Sequence, residues 1–178
     1  MDELRKQILA KRREFAKADK YADACRKICE HLRDLPEFKE AKHVMFYLPL
    51  FGEVDVTGLF AAEKNFYIPI THGIVITPAR YFSEMPMRTG EYGVTEPESP
   101  VFADKNILDF VVVPAVAADR NGNRMGFGKG CYDRFLDGLS CPRAAAVFEL
   151  QLAELSPKPH DVPMDYIITE GGCIYGKH

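Results

Sequence analysis

The stretch FVVVPAVAADRNGNRMGFGKGCYDR, residues 110–134, joins an apolar strand to a glycine-rich loop and then to a helix. Residues 110–113 are apolar throughout and lie between Asp109 and Pro114. A short unbroken apolar run is typical of a strand buried on both faces of a parallel sheet. Ligands of such sheets lie beyond the carboxyl ends of the strands, where this loop begins. The stretch therefore predicts an α/β fold with its site at the loop.

Helices and strands alternate along the rest of the chain, after two helices at its start. Apolar residues at helical spacing predict one helix over residues 2–18 and another that ends before Pro36. Shorter helices are predicted at Asp55–Glu63 and Tyr132–Leu139, and strands at Val44–Leu48, Phe66–Pro69, Phe110–Val113, Ala144–Phe148 and Tyr166–Thr169. A strand, a helix and a second strand in succession favour parallel pairing. We expect a three-layer α/β/α fold with a mostly parallel, Rossmann-like sheet.

The chain length of 178 residues suits one domain, so residues 1–178 are predicted to form a single unit. Residues 70–108 are rich in Pro and Gly and contain strand-like pieces at 74–77 and 79–82. This segment is too short to build a core of its own. We therefore expect a peripheral excursion there.

Composition excludes several classes of protein. The net charge of −3 argues against a surface that binds nucleic acid, and no apolar run approaches the roughly 18 residues of a membrane span. The N-terminus has no apolar signal-peptide core. Five cysteines at irregular spacing make a poor disulfide framework and fit a reducing compartment. The predicted location is therefore cytoplasmic.

The loop between the buried strand and the following helix has the features of a phosphate site. Gly126, Gly128 and Gly130 alternate with other residues, so successive backbone N–H groups can surround an anion. The positive end of the following helix, with Lys129 and Arg124 as mobile cations, would add attraction for phosphate oxygens. The loop matches neither the Walker A sequence nor the GxGxxG fingerprint. A tight structural turn remains the alternative.

Two aspartates are candidate metal ligands. Asp133 falls in the first turn of the predicted helix, and Asp161 lies in the loop before the last predicted strand. Mg²⁺ prefers one or two carboxylates together with phosphate oxygens and water. An acidic residue in a first helical turn also interacts favourably with the helix dipole, so a purely structural role for Asp133 stays open.

Several segments together resemble the 5-formyltetrahydrofolate cyclo-ligase family. The loop with its flanks, Asp109–Leu136, is similar to the family signature. The other similar segments are Leu4–Arg5 with Lys11–Arg13, Phe46–Asp55, Tyr92–Pro97, Ala146–Gln151 and His160–Asp165. Separate motifs in the family's order are more specific than any single motif.

The resemblance implies an ATP-dependent enzyme that closes 5-formyltetrahydrofolate into 5,10-methenyltetrahydrofolate and releases ADP and phosphate. ATP would phosphorylate the formyl oxygen, and N10 would then attack the activated carbon. ATP and Mg²⁺ are the implied cofactors. The implied partner is a small-molecule substrate, and we expect a monomer.

The resemblance also implies residue roles. The ATP-binding residues would be Arg5, Arg124, Met125, Gly126, Phe127, Gly128, Lys129, Gly130, Cys131 and Tyr132. The substrate-binding residues would be Leu48, Glu53, Phe127, Cys131 and Tyr132, and the metal ligands Asp133 and Asp161. Lys129 and Arg124 are the expected catalytic residues, because charge develops on the phosphate during transfer.

Four positions depart from the family pattern: Met1 stands for a common Lys, Cys131 for Tyr or Phe, and Ala115 and Ala118 for Gly and Phe. A non-catalytic relative that binds nucleotide or folate therefore remains an alternative. A sugar-phosphate isomerase needs a base at the substrate carbon, and the spacing of the five histidines suggests none. A purely structural α/β protein would leave residues 126–133 unexplained.

Overall fold

The computed structural model describes residues 2–60 and 63–177, apart from the side chains of Asp2 and Tyr92. In chain order the strands are β1 (His43–Met45), β2 (Asn65–His72), β3 (Val75–Tyr81), β4 (Met87–Thr89), β5 (Thr95–Pro97), β6 (Phe110–Pro114), β7 (Ala117–Ala118), β8 (Arg124–Met125), β9 (Arg143–Ala146), β10 (Tyr166–Thr169) and β11 (Gly172–Tyr175). The α-helices are α1 (Asp2–Phe15), α2 (Lys20–Asp34), α3 (Pro36–Glu40) and α4 (Cys131–Leu136). In this part of the chain no helix is long and apolar enough to cross a membrane.

A seven-stranded sheet in the order β11-β10-β9-β6-β1-β2-β3 forms the centre of the molecule. The five inner strands are parallel, and β3 and β11 pair antiparallel at the two edges. The parallel strands, counted along the chain, stand in the order 2-1-3-4-5 of a doubly wound sheet. The predicted mostly parallel α/β fold is confirmed. The order reverses between β1 and β6, where such sheets bind ligands.

Two apolar clusters cover the two faces of the sheet, so the fold has three layers. Phe110 and Val112 of β6 face one cluster with α2 and α3, whereas Val111 and Val113 face the other with α4. All four side chains are fully buried, which confirms the predicted strand buried on both faces. Side chains alternate between faces along a strand, so an unbroken apolar run serves both layers.

The two cysteines of α2 pack in the core. Cys25 and Cys29 are buried and belong to the apolar stripe of the helix. Burial raises the pKa of Cys29 to about 11, so this thiol stays protonated and unreactive.

Helix α1 lies against the chain that leaves the carboxyl end of β6. Its Ile8 packs in a third buried cluster with Val116, Ala117 and Met125. This packing places the polar residues of α1, among them Arg5 and Arg12, beside the glycine-rich loop.

Three predicted helices are shorter than expected. Helix α1 ends at Phe15, and the predicted helix at 55–63 is a single 3₁₀ turn, Thr57–Leu59, in the described residues. Helix α4 ends at Leu136 because Gly138 adopts a φ of +71° and stops the helix. Lys105 then donates hydrogen bonds from Nζ to the terminal carbonyls of Phe135 and Asp137.

The prediction that residues 70–108 form a peripheral excursion is wrong for β3, which belongs to the central sheet. The two strand-like pieces merge into β3, which completes one edge of the central sheet. Pro78 is tolerated there because its carbonyl oxygen, and with it the missing N–H, faces away from β2 toward Ala103. The strand β11, which the sequence did not predict, completes the opposite edge.

Gly122 is expected to be essential for stability. Its φ is +94°, and a Cβ added there would lie 2.5 Å from the carbonyl oxygen of Met164. Gly122→Ala should therefore lower the free energy of unfolding by about 2 kcal/mol, from backbone strain and overpacking together. Urea unfolding measures the loss. Gly73→Ala is the matched control, because Gly73 also has positive φ but its added Cβ would meet no described atom within 4 Å. Equal losses in both variants would contradict the close contact.

Candidate active site

A cavity of about 640 Å³ opens at the carboxyl edge of the sheet, between β1 and β6. Tyr47 and Leu48, which follow β1, line one side, and Pro114 and Ala115 at the end of β6 line the other. The cavity therefore lies where the strand order reverses, as doubly wound sheets require.

Every residue predicted to take part in the site lines this one cavity. They are Arg5, Leu48, Glu53, Arg124, Met125, Gly126, Phe127, Gly128, Lys129, Gly130, Cys131, Tyr132, Asp133 and Asp161. Four separate parts of the chain supply them, and the fold brings these parts together. Met1, where a family lysine is missing, lies outside the described residues.

The glycine-rich loop is held in an open curve by its glycines and by two arginines. Gly128 and Gly130 adopt φ values of +98° and +67°, which residues other than glycine rarely adopt. Arg134 donates from Nη1 to the carbonyl oxygen of Lys129 at 2.8 Å, and Arg5 donates from Nε to that of Gly126 at 3.1 Å. Helix α1 therefore contacts the loop directly through Arg5, a residue predicted to bind ATP.

The side chain of Lys129 lies at the cavity and is exposed to solvent. Its ammonium group is carried on a flexible stem, so it can follow charge as it moves between phosphate oxygens. Phe127 is also exposed, by 53%, although its ring lines the cavity. An apolar ring at the mouth of a cavity is suited to packing against a flat ligand.

Arg124 is buried and paired, although the sequence predicted a mobile cation at this position. Its side chain is only 3% exposed, and Nη2 donates to Oδ1 of Asp133 at 2.7 Å. Burial lowers the pKa of Arg124, whereas the nearby carboxylate of Asp133 raises it. The guanidinium also lies 5.6 Å from the ring centroid of Tyr132. Arg124 is fixed by these contacts, and it orients Asp133.

The two predicted metal ligands lie on neighbouring segments at one side of the cavity. The backbone N–H of Val162 donates to Oδ1 of Asp133 at 3.4 Å, which links the segment after Asp161 to helix α4. Oδ2 of Asp161 accepts a hydrogen bond from the backbone of Lys158 at 2.8 Å. The described residues contain no cluster of three or more potential metal ligands. Two carboxylates suit Mg²⁺ that keeps phosphate and water ligands.

Glu53 is a buried carboxylate that lines the cavity from the segment after β1. It is 4% exposed, and Oε2 accepts a hydrogen bond from the backbone N–H of Leu50 at 2.9 Å. Burial raises the pKa of Glu53, while the Leu50 N–H and the charge of Arg12 lower it. The Tyr21 hydroxyl donates to the Glu53 carbonyl at 2.6 Å, which fixes the turn. The site thus presents a rigid acceptor at this end.

Some cavity residues were missed by the sequence analysis. They are Leu4, Tyr47, Leu50, Pro69, Thr71, Ile76, Val94, Pro114, Ala115, Asn123, Glu154, Leu155, Ser156, Pro157, Lys158 and His160. Tyr47 and Leu50 lie close to Leu48 within one motif, so the motif itself could have predicted that they line the site. The segment 154–158 has no motif, and only folding brings it to the cavity.

The cavity lining combines cations and the glycine-rich loop with a buried carboxylate and apolar walls. The cations and loop amides suit a polyphosphate, whereas the carboxylate and apolar walls suit a flat ring with N–H donors. The cavity is large enough for two such ligands to meet.

Comparison with known proteins gives the same picture. The 5-formyltetrahydrofolate cyclo-ligase family profile matches residues 1–170. The 5-formyltetrahydrofolate cyclo-ligase of Haemophilus influenzae is 31% identical over 155 residues, which cover 80% of this chain and 83% of that protein. The 5,10-methenyltetrahydrofolate synthetase of Aquifex aeolicus superposes with a TM-score of 0.83 at 34% identity, over 98% of this chain and 91% of that one.

A second synthetase structure, from Mycoplasma pneumoniae, supports the fold. It superposes with a TM-score of 0.76 at 24% identity, over 95% of this chain and 98% of that one. The predicted enzyme class, an ATP-dependent cyclo-ligase, is confirmed by the family match over nearly the whole length. This chain belongs to the 5-formyltetrahydrofolate cyclo-ligase family.

Proposed function

We propose that this chain uses Mg-ATP to convert 5-formyltetrahydrofolate into 5,10-methenyltetrahydrofolate, with release of ADP and phosphate, in the cavity between β1 and β6. One observation carries the proposal: Glu53, at the proposed folate end, and Lys129, at the proposed phosphate end, line the same 640 Å³ cavity. The two substrates can therefore meet without a change of fold.

At the phosphate end, the chain's own groups would neutralise charge. The backbone amides of Gly126–Gly130 and the side chain of Lys129 surround the proposed position of the β- and γ-phosphates. The formyl oxygen would attack the γ-phosphorus as the bond to ADP breaks. A formyl amide oxygen is a poor nucleophile, so alignment of the reacting atoms supplies much of the rate.

Asp133 and Asp161, the two aspartates that line the cavity, are the residues that would hold Mg²⁺. When bound, Mg²⁺ supplies charge neutralisation at the phosphate oxygens. Arg124 donates from Nη2 to Oδ1 of Asp133 at 2.7 Å, so the arginine would orient this carboxylate for the metal ion. We therefore assign Arg124 a positioning role in place of direct phosphate contact.

At the folate end, Glu53 would accept hydrogen bonds from adjacent N–H donors of the pterin ring. Leu48, Phe127, Cys131 and Tyr132 line the same cavity and would enclose the ring system. Attack by N10 on the activated carbon would close the new ring, and phosphate would leave with the former formyl oxygen. We assign no general base to this step.

The proposed activity is tested with purified protein, ATP, Mg²⁺ and 5-formyltetrahydrofolate. Methenyl product should accumulate, seen as a rise in its absorbance, and ADP should form in equal amount. Omission of ATP should abolish the reaction, whereas an isomerase would not need it. Nucleotide binding without methenyl formation would instead favour the non-catalytic relative.

We also propose that the protein acts in the cytoplasm as a monomer. All five cysteines are free, which suits a reducing compartment. The residues predicted for the site come together within one copy of the chain, so the proposed reaction needs no residue from a second copy.

A further inference from the structure

Arg12 is a buried arginine directly behind the folate end of the cavity. It is 3% exposed, and Nη1 lies 3.9 Å from Oε1 of Glu53. The same atom donates to the carbonyl oxygen of Ala115 at 3.4 Å, and the guanidinium carbon lies 5.9 Å from the Phe127 ring centroid. Arg12 is not among the residues that line the cavity. It therefore lies where it can act on the site through its neighbours.

The burial of Arg12 is costly by itself. Its Nε has no hydrogen-bond partner among the described residues, and its hydrogen bond to Ala115 is long. Burial lowers the pKa of Arg12, and the carboxylate of Glu53 raises it. A buried arginine is tolerated only where an opposite charge balances it. The two charges therefore depend on each other.

We propose that Arg12 is a positioning residue that keeps the Glu53 carboxylate in its charged, acceptor-only form for the folate ring. The inference rests on the proposed function, in which Glu53 receives two adjacent N–H donors. A protonated carboxyl would present an O–H donor to one of them and lose that hydrogen bond. Because Glu53 is nearly fully buried, the charge of Arg12 acts on it with little screening.

The surroundings of the pair leave Glu53 as the group whose ionisation Arg12 controls. The other titratable groups that act on Glu53 or Arg12 are Arg13, Tyr21, Tyr47 and Tyr132. Burial raises the pKa of each of the three tyrosines, so they remain neutral.

Arg12→Met keeps most of the side-chain volume but removes the charge. Without this cation the pKa of Glu53 should rise, so a smaller fraction is ionised near pH 6.5. We expect the KM for 5-formyltetrahydrofolate to increase about tenfold there and to approach the wild-type value as pH rises to about 9. The KM for ATP should change by less than about twofold, because Lys129 and the loop amides remain.

Two variants separate this role from a merely structural one. Arg12→Lys retains the cation and should restore a folate KM that varies little with pH. In Arg12→Met with Glu53→Gln, the pH-dependent recovery should disappear, because no carboxyl remains to ionise. Lys6→Met removes an exposed cation from the same helix, away from the cavity lining, so it is the matched control and should leave both KM values unchanged.

Thermal unfolding provides a readout without any folate. A folded-state pKa above the unfolded value favours the folded state at low pH, and this benefit is lost as pH rises through the folded pKa. The loss of melting temperature in Arg12→Met should therefore grow between pH 5.5 and 8.5. Adding Glu53→Gln should remove that growth. A loss that is equal at both pH values would overturn the coupling.

The two readouts separate failure of the inference from failure of the proposed function. If the wild type neither binds nor converts 5-formyltetrahydrofolate, the proposed function fails, and the folate role of Arg12 fails with it. If the wild type is active but the folate KM of Arg12→Met equals that of the wild type at every pH, only the inference fails. Should Arg12→Met not fold, Arg12→Lys decides, since a folate KM raised tenfold at every pH would overturn the role of the charge.

Discussion

Lys129→Ala is expected to lower kcat by about 10²–10³-fold while the fold stays intact. The lysine is exposed and lines the cavity beside the glycine-rich loop, outside the three buried clusters. Its ammonium group would meet charge that develops on the phosphate only as the reaction proceeds. The loss should therefore appear in kcat more than in either KM. Methenyl absorbance at saturating substrates measures it, with the melting temperature recorded in parallel.

The matched control for Lys129→Ala is Lys42→Ala. Lys42 is also exposed, but it lies at the amino end of β1, away from the cavity. It should retain full activity. A fully active Lys129→Ala protein would remove Lys129 from the catalytic residues and with it the central electrostatic argument.

Asp133→Asn should have two effects of different origin. The variant loses a proposed Mg²⁺ ligand, so the Mg²⁺ concentration at half-maximal activity should rise about tenfold. It also leaves Arg124 without its charged partner, and Arg124 is only 3% exposed. Removal of one partner of a buried ion pair is strongly destabilising, so the free energy of unfolding should fall by about 3 kcal/mol. A Mg²⁺ titration well below the melting temperature and urea unfolding measure the two effects separately.

Asp137→Asn is the control for both effects. Asp137 follows the end of helix α4, is exposed, and does not line the cavity. It should change neither measurement. An Asp133→Asn variant that loses stability but keeps the wild-type Mg²⁺ titration would limit Asp133 to the structural role of balancing Arg124.

The structure is not equally compatible with the alternative functions that the sequence left open. The family match leaves no need for an unrelated isomerase. A loop that served only as a turn would not require Lys129 to be exposed at a cavity it shares with Glu53. The family match favours the enzyme over a non-catalytic relative, and the turnover assay tests the two against each other. Cys131, one of the departures from the family pattern, lines the cavity.

The sequence by itself determined the fold class and the motif residues of the site. The apolar run at 110–113 predicts a buried parallel strand, since its spacing leaves no polar face. The glycines at 126, 128 and 130 predict an open loop because few other residues adopt its backbone conformation. Both patterns depend only on neighbouring residues, so each can be recognised within one segment of the sequence.

The tertiary structure alone decided which charges are buried and with whom. Arg124 was predicted to be a mobile cation, but it is buried in an ion pair with Asp133. Arg12 lies beside Glu53 although the two residues are 41 positions apart in the chain. Likewise, β3 pairs with β2 in the central sheet, although its segment was predicted to be peripheral. The burial and pairing of charged side chains depend on contacts between segments that are distant in the chain. A local sequence pattern does not predict the geometry of such contacts.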